Sequence, residues 1–218
     1  MGKVISALDA AGLIFDGAVV MFGGFMANGS AHGIIDALVA RGVRDLTIIC
    51  NDSGYVDKGV GLLIVNGQCK KLITSHIGLN KETGRLMNEG KIEVVLTPQG
   101  TLAEQIRAGG YGLGGVLTRT GLGTLVAEGK QTVDVDGVTY LLEKPLRADF
   151  AILHGSVVDE NGNITYKGST NNFNNVMAAA ADVTIVEAEV LVENGGIDPN
   201  HVTTPGVFVK HIVKGGKA

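Results

Sequence analysis

The stretch DGAVVMFGGFMANGSAHGIIDAL, Asp16 to Leu38, decides the fold. Its AVVMF run (18–22) is nearly continuous in apolar residues, the pattern of a strand covered on both faces. Gly23-Gly24, an aromatic, three variable residues and Gly29 follow. Ile34, Ile35, Leu38 and Val39 then recur at helical spacing, and Gly42 supplies a stop. LTIIC (46–50) completes a βαβ unit. A strand running through glycines into a helix brings backbone N–H groups and the positive helix end to one place, where an anion can rest. The pattern is neither GxGxxG nor Walker A, so a ligand cradle and a purely structural βα turn both fit it.

The alternation continues outward. KLITSHI (71–77), IEVVLT (92–97), DFAILHG (149–155), DVTIVEA (182–188) and GVFVKHIV (206–213) read as further strands. The expected fold class is α/β, a mainly parallel sheet with helices on both faces. TLAEQIRAGG (101–110) reads as a helix opened by a Thr101/Glu104 capping box and closed by Gly109-Gly110. Residues 111–147 break the rhythm. There QTVDVDGVTYLLEK predicts two strands turned at Asp136-Gly137, an antiparallel excursion, and DENGNITYKG (159–168) predicts a second hairpin-like turn. A literal GxGxxG, Gly110 to Gly115, follows a helix and precedes a strand, the wrong context for a dinucleotide fingerprint, and reads as a structural loop. No internal repeat or linker is evident. One domain, 1–218, with the excursion around 111–147, is expected, and the last residues, KGGKA, are expected to fray.

Composition narrows the function. A length of 218 residues supports a sizeable core. The net charge of -4 and the lack of a basic block argue against nucleic acid. Glycine, 33 residues, is roughly twice its usual share of about 7%, which signals many tight turns and close backbone approaches. Cys50 and Cys69 form no CxxC and sit beside apolar runs, so they read as buried free thiols of a reducing compartment. His32, His76, His154, His201 and His211 show no HxxH or HxxxH pairing, and no metal is expected. No apolar run approaches a membrane span and no secretory pattern opens the chain, which makes the cytoplasm the default.

No GxSxG elbow or Cys-His motif appears, so the chain has a binding loop and no evident catalyst. Glu193 in VENGG (192–196) is the tempting exception. Asn194, Gly195, Gly196 and Asp198-Pro199 explain it as the lip of a turn. The mismatch suggests that a second polypeptide completes the site.

Together, DGAVVMFGGFMANG, NDSG (51–54), LLIVNGQCKKLITSHIG (62–78), LTPQGTLAEQIRAGG (96–110), TGLGTLVAEGK (120–130) and NFNNVMAAAADVTIVEAE (172–189) resemble the class I CoA-transferase family. The likeness is to its acetate and butyrate-acetoacetate α subunits, over residues 3 to 213. The resemblance implies a homologous β subunit and an α2β2 or larger complex. It also implies ping-pong transfer of CoA between an acyl-CoA and a short-chain carboxylic acid. The intermediate would be a glutamyl-CoA thioester on the β subunit, in a Ser-Glu-Asn-Gly context that Val192-Glu193 does not match. No catalytic residue then falls on this chain, and coenzyme A is a substrate with no resident cofactor. The resemblance gives CoA binding to Gly23, Gly24, Phe25, Met26, Ala27, Asn28 and Gly29, and a supporting role to the amides Asn51 and Gln99. A turn residue bonding its own backbone also fits each amide. The family's loop ends Gly-x-Pro, whereas this chain reads Gly29-Ser30-Ala31. Two alternatives are kept: a succinyl-CoA:3-oxoacid CoA-transferase α subunit, and a non-catalytic metabolite-binding module of the related sugar-phosphate isomerase and sensor folds.

Overall fold

The computed structural model describes residues 3–215. Its main sheet is built from β1 (Val4–Ile5), β2 (Val19–Phe22), β3 (Leu46–Asp52), β4 (Cys69–His76), β5 (Glu93–Leu96), β9 (Ala148–Asp159), β10 (Ile164–Thr165), β11 (Ala181–Val192) and β12 (Val209–Lys214). The order is β1-β12-β11-β9-β2-β3-β4-β5, with every pair along it parallel, and β10 lies antiparallel to β9. Each strand expected from an apolar run is present, with ends displaced by a few residues. β9 and β11 are the exceptions in length, twelve residues each, and stay paired out to Asp159 and Val192, where β10 joins the edge of β9.

Alternate side chains feed two cores. Val20, Phe22, Ile48 and Cys50 pack with helices α1 (Ala7–Leu13), α2 (His32–Arg41) and α3 (Gly61–Val65) on one face, where α4 (Lys81–Asn88) adds Leu86 and Met87. Met21 and Ile49 pack on the other face with α5 (Gln99–Gly110) and α6 (Asn174–Met177). Strands buried on both sides read as unbroken apolar runs for this reason. Helix α2 ends at Gly42, whose φ of 70° is the left-handed cap expected there. Among the described residues no helix is long and apolar enough to cross a membrane.

Strands β6 (Val116–Thr118), β7 (Thr132–Val135) and β8 (Val138–Glu143) form the separate antiparallel sheet β6-β8-β7 within the expected excursion. Its β7–β8 turn has Asp136 at φ 51° and Gly137 at φ 78°, a primed hairpin turn. Glu143, 2% exposed, accepts from Lys130 Nζ (2.6 Å) and Gln105 Nε2 (3.1 Å), which ties this sheet to α5.

Four expectations need correction. Helix α5 begins at Gln99, after Pro98, so Thr101 lies inside it and makes no capping box; Glu104 pairs with Arg107 instead. A capping box does form at Ser6 and Asp9, opening α1. Gly109 and Gly110 belong to the last turn of α5 and do not stop it. A side chain on Gly109 would strike the Leu146 carbonyl and one on Gly110 would crowd Ala179, so both glycines mark close packing. Lys214 closes β12 and Gly215 N–H donates to Ala188 O (2.8 Å), so the first two residues of KGGKA are held; 216–218 lie outside the described residues. Finally, an internal repeat exists. The loops after β2 and β3 share one glycine spacing, Gly24-Phe25 to Gly29 and Gly54-Tyr55 to Gly59, and each closes a bridge, Phe25 with Asn28 and Tyr55 with Lys58.

Candidate active site

From β2 the chain winds outward through β3, β4 and β5, then returns to place β9, β11 and β12 on β2's other side. The carboxyl ends of β2 and β9 therefore form a topological switch point, where open α/β sheets collect their ligands. The loop after β2 sits there. Beside it a cleft of about 300 Å³ opens between Phe25, Met26, Asn51, His76, Leu79 and Gln99, with Asp52 and Ser75 in its wall.

The two amides singled out from sequence are brought into contact. Asn51, 1% exposed at the end of β3, accepts from Gln99 Nε2 through Oδ1 (2.6 Å) and donates Nδ2 to Asp52 Oδ2 (2.8 Å). Its carbonyl accepts from Ser75 Oγ (2.6 Å). Asn51 Oδ1 thus holds Gln99 while its Nδ2 holds Asp52. Gln99, at the first position of α5 and exposed, has its Oε1 and a second Nε2 hydrogen without a protein partner among the described residues.

The glycine loop is strained. Met26 (φ 51°) and Ala27 (φ 61°) both occupy left-handed backbone between the mutual Phe25/Asn28 hydrogen bonds (3.0 and 2.9 Å). Non-glycine residues resist this geometry by about 1 kcal/mol or more each, and such residues persist where their surroundings over-determine them. Asp52, 6% exposed, supplies part of that constraint: its Oδ2 accepts from Met26 N–H (2.9 Å) and its Oδ1 from Gly54 N–H (2.9 Å), joining the two repeated loops. Gly59 brings the second loop against Ala27, leaving only 3.1 Å for a Cβ.

The anion cradle expected at the start of α2 is occupied by the protein itself. Glu187, from β11 and 8% exposed, places its carboxylate on Gly33 N–H (3.1 Å) and Ile34 N–H (2.8 Å). Ala31, at the cap position, has no side chain to do this, so a carboxylate 154 residues beyond Gly33 does. That contact also fixes the helix start where Ser30-Ala31 replaces the proline-ended pattern.

The chain's own nucleophile candidates fall away. Asp52 is the carboxylate of the cleft among the described residues, and it accepts from Met26, Gly54 and Asn51. Glu193 is exposed on the turn closed by Gly196 N–H to Glu193 O (3.0 Å). The strand registers put it seven residues past the level of Asn51, roughly 23 Å along the strands. Burial pushes the Cys50 thiol up and the Cys69 thiol up to about 12, so neither is a ready thiolate. Ser75, His76, Leu79 and Asp52 were missed from the sequence, although Asp52 lies inside NDSG. Asn172 and Glu187, which bond the loop and its helix from far along the chain, carried no local signal.

A family model described as Coenzyme A transferase matches residues 4–215. The chain belongs to that family. It is 54% identical over 211 residues to the acetate CoA-transferase subunit alpha of Escherichia coli (strain K12), covering 97% of this chain and 96% of that protein. It is 50% identical over 212 residues to the acetoacetyl-CoA:acetate/butyrate CoA transferase alpha subunit of Clostridium acetobutylicum, covering 97% of each. The solved acyl-CoA transferase of Escherichia coli O157:H7, a thioester complex with CoA, superposes with a TM-score of 0.86 at 23% identity. It covers 97% of this CoA-transferase chain, which spans 47% of that one, and at such identity it shows the shared fold.

Proposed function

We propose that the chain is the α-type subunit of a short-chain acyl-CoA transferase, exchanging CoA reversibly between an acyl-CoA and acetate, butyrate or acetoacetate. The reading is carried by one observation: the cleft at the switch point has an amide pair and a shaped glycine loop, while its carboxylate, Asp52, is already bound by three N–H groups. A transfer through a glutamyl thioester needs a free carboxylate within bonding distance of the thioester carbon. A homologous β subunit supplies it in this reading. Its carboxylate attacks the acyl carbonyl and expels CoA thiolate, which then attacks the resulting anhydride at the glutamyl carbonyl and releases the acid. The incoming acid reverses both steps. Thioester is exchanged for thioester, so no ATP is consumed.

In this reading Gly23 to Gly29 bring backbone close to the thioester end of CoA, and Gln99, oriented by Asn51, offers an amide to the acyl oxygen or the acid. Coenzyme A is substrate, no resident cofactor is invoked, and residues 1–218 act as one unit. The free thiols Cys50 and Cys69 support a cytoplasmic setting. The test is coexpression with the β-type partner and CoA-exchange assays over acetate, butyrate, acetoacetate and succinate. Activity should require both chains and favour the first three acids. Turnover by this chain alone refutes the division of labour, and preference for succinate moves the assignment to the succinyl-CoA:3-oxoacid branch.

A further inference from the structure

The two repeated loops differ in one respect that their shared spacing does not explain. Among the described residues, positive φ at a non-glycine occurs at Met26, Ala27, Asp45 and Asp136, so the loop after β2 is strained where its counterpart, Val56-Asp57, is not. The two also differ in what surrounds them. The segment Gly168–Asn174 closes over the strained loop. Asn172 Oδ1 accepts from Gly24 N–H (3.0 Å), and Asn172 Nδ2 donates to Asn28 O (3.1 Å) and to Ser169 O (2.8 Å). Asn28 Nδ2 donates to Ser169 Oγ (2.6 Å). Asn174, fully buried, donates Nδ2 to Gly29 O (2.9 Å) and accepts from His154 N–H (2.9 Å), which anchors the arrangement to β9.

A single side-chain amide thus grips the loop on both sides of the strained pair, before it at Gly24 and after it at Asn28. A primed turn prefers Gly or Asn at its centre. With Met and Ala there, the turn's shape depends on bonds from outside it. The bonds also have a consequence for the cleft, because Phe25 and Met26, the residues the turn projects, form its wall.

We propose that Asn172 is a positioning residue: it holds the Met26-Ala27 turn in the strained shape that presents Phe25 and Met26 to the acyl-CoA. The inference rests on the reading of the cleft as the CoA-transfer site. Asn172 touches neither substrate nor reacting atoms in this account. It acts through the loop.

The assembled two-chain enzyme tests it with Asn172→Ala, Asn172→Asp and each combined with Ala27→Gly, a change that relieves the strain from within the turn. CoA affinity by calorimetry, amide exchange over residues 23–29 and thermal melting are measured on all. Asn172→Ala should weaken CoA binding about tenfold, equivalent to about 1.4 kcal/mol, and speed exchange at Gly24. Asn172→Asp keeps the acceptor for Gly24 and should slow that exchange relative to Ala. Ala27→Gly should recover at least half of the lost affinity in logarithmic terms, which a general loss of stability would not allow. Affinity within twofold of wild type in both variants, or a tenfold loss that Ala27→Gly leaves untouched, overturns the proposal. If Asn172→Ala does not fold, the Asp variant and its Ala27→Gly partner decide. Failure of the wild-type enzyme to bind or transfer CoA would instead sink the functional reading, and exchange at Gly24 would still report whether Asn172 sets the loop.

Discussion

Removing the carboxylate at the start of α2 separates a filled anion site from an open one. Glu187→Ala removes the carboxylate that accepts from Gly33 N–H (3.1 Å) and Ile34 N–H (2.8 Å), amides with no other partner among the described residues. Bonds to a charged group contribute about 1.5–3 kcal/mol each, and loss of a helix cap costs about 0.5–2 kcal/mol. The two figures describe overlapping contacts, and water can reach the vacated place through the opening of an 8% exposed residue. About 3 kcal/mol is therefore expected, or roughly 6–12 °C in Tm for a chain of this length. Glu187→Gln, which keeps one acceptor oxygen, should lose about half as much. Urea denaturation followed by circular dichroism and by the fluorescence of the four Tyr, the chain having no Trp, measures both. A second arm adds inorganic phosphate: it should raise the Tm of Glu187→Ala, whose helix end is vacant, and leave wild type unchanged. A loss under 1 kcal/mol, or equal stabilisation of the two proteins by phosphate, would refute the account of a cradle filled from within.

Gly23→Ala should destabilise by about 2–3 kcal/mol, since its Cβ would strike the side chain of buried Asn174 and break that residue's bonds; a change in melting free energy below about 1 kcal/mol would show that the site can yield. Glu193→Ala should leave kcat within a few-fold of wild type and shift stability by about 0.5 kcal/mol or less. Borohydride trapping after acyl-CoA addition that labels Glu193 would contradict the turn reading. Stability should also fall with acid through His154. Burial lowers its pKa below 6.5, partly opposed by Glu189 at 3.6 Å, so the unfolded chain binds a proton first as pH drops. The contribution is fully present above pH 6.5 and is lost as pH falls from there through the lower folded value; His154→Gln should flatten that slope, and an unchanged slope in a pH series of urea midpoints would exclude it.

The sheet was legible because its strands are buried on both faces: AVVMF and LTIIC need no partner information to read as core. Turn chemistry with a fixed φ demand was equally plain at Gly42 and at Asp136-Gly137. Helix α4 escaped because its sequence, KETGRLMN, offers a single apolar pair, although Asn80 caps it by accepting from Glu82 and Thr83 N–H. At the site, the family resemblance marked Asn51 and Gln99, each just past the end of an expected strand, but their 2.6 Å contact depends on the order β3-β4-β5 and on a helix that starts two residues earlier than its sequence suggests. The sequence left open, for a physical reason, whether the cradle takes a ligand or a part of the protein. The helix end does call for an anion, but whether the anion is ligand or protein depends on a strand some 150 residues later. Glu187 and Asn172 act at a distance that spacing along the chain does not encode.

The neighbour relation between β2 and β9 also sets an order of events during synthesis. Val20 pairs with Phe150, 130 positions downstream, so at about 5–20 residues per second the apolar edge of β2 waits roughly 7–26 seconds after emergence for its partner. In that interval β2 to β5 can assemble into a half-sheet with one sticky, unpaired flank, a natural target for a holding chaperone or for a second nascent chain. Asn172 and Glu187 leave the ribosome later still. The glycine loop is made early and gripped last, so a truncated or stalled chain carries the Met26-Ala27 turn without the Asn172 bonds that span it.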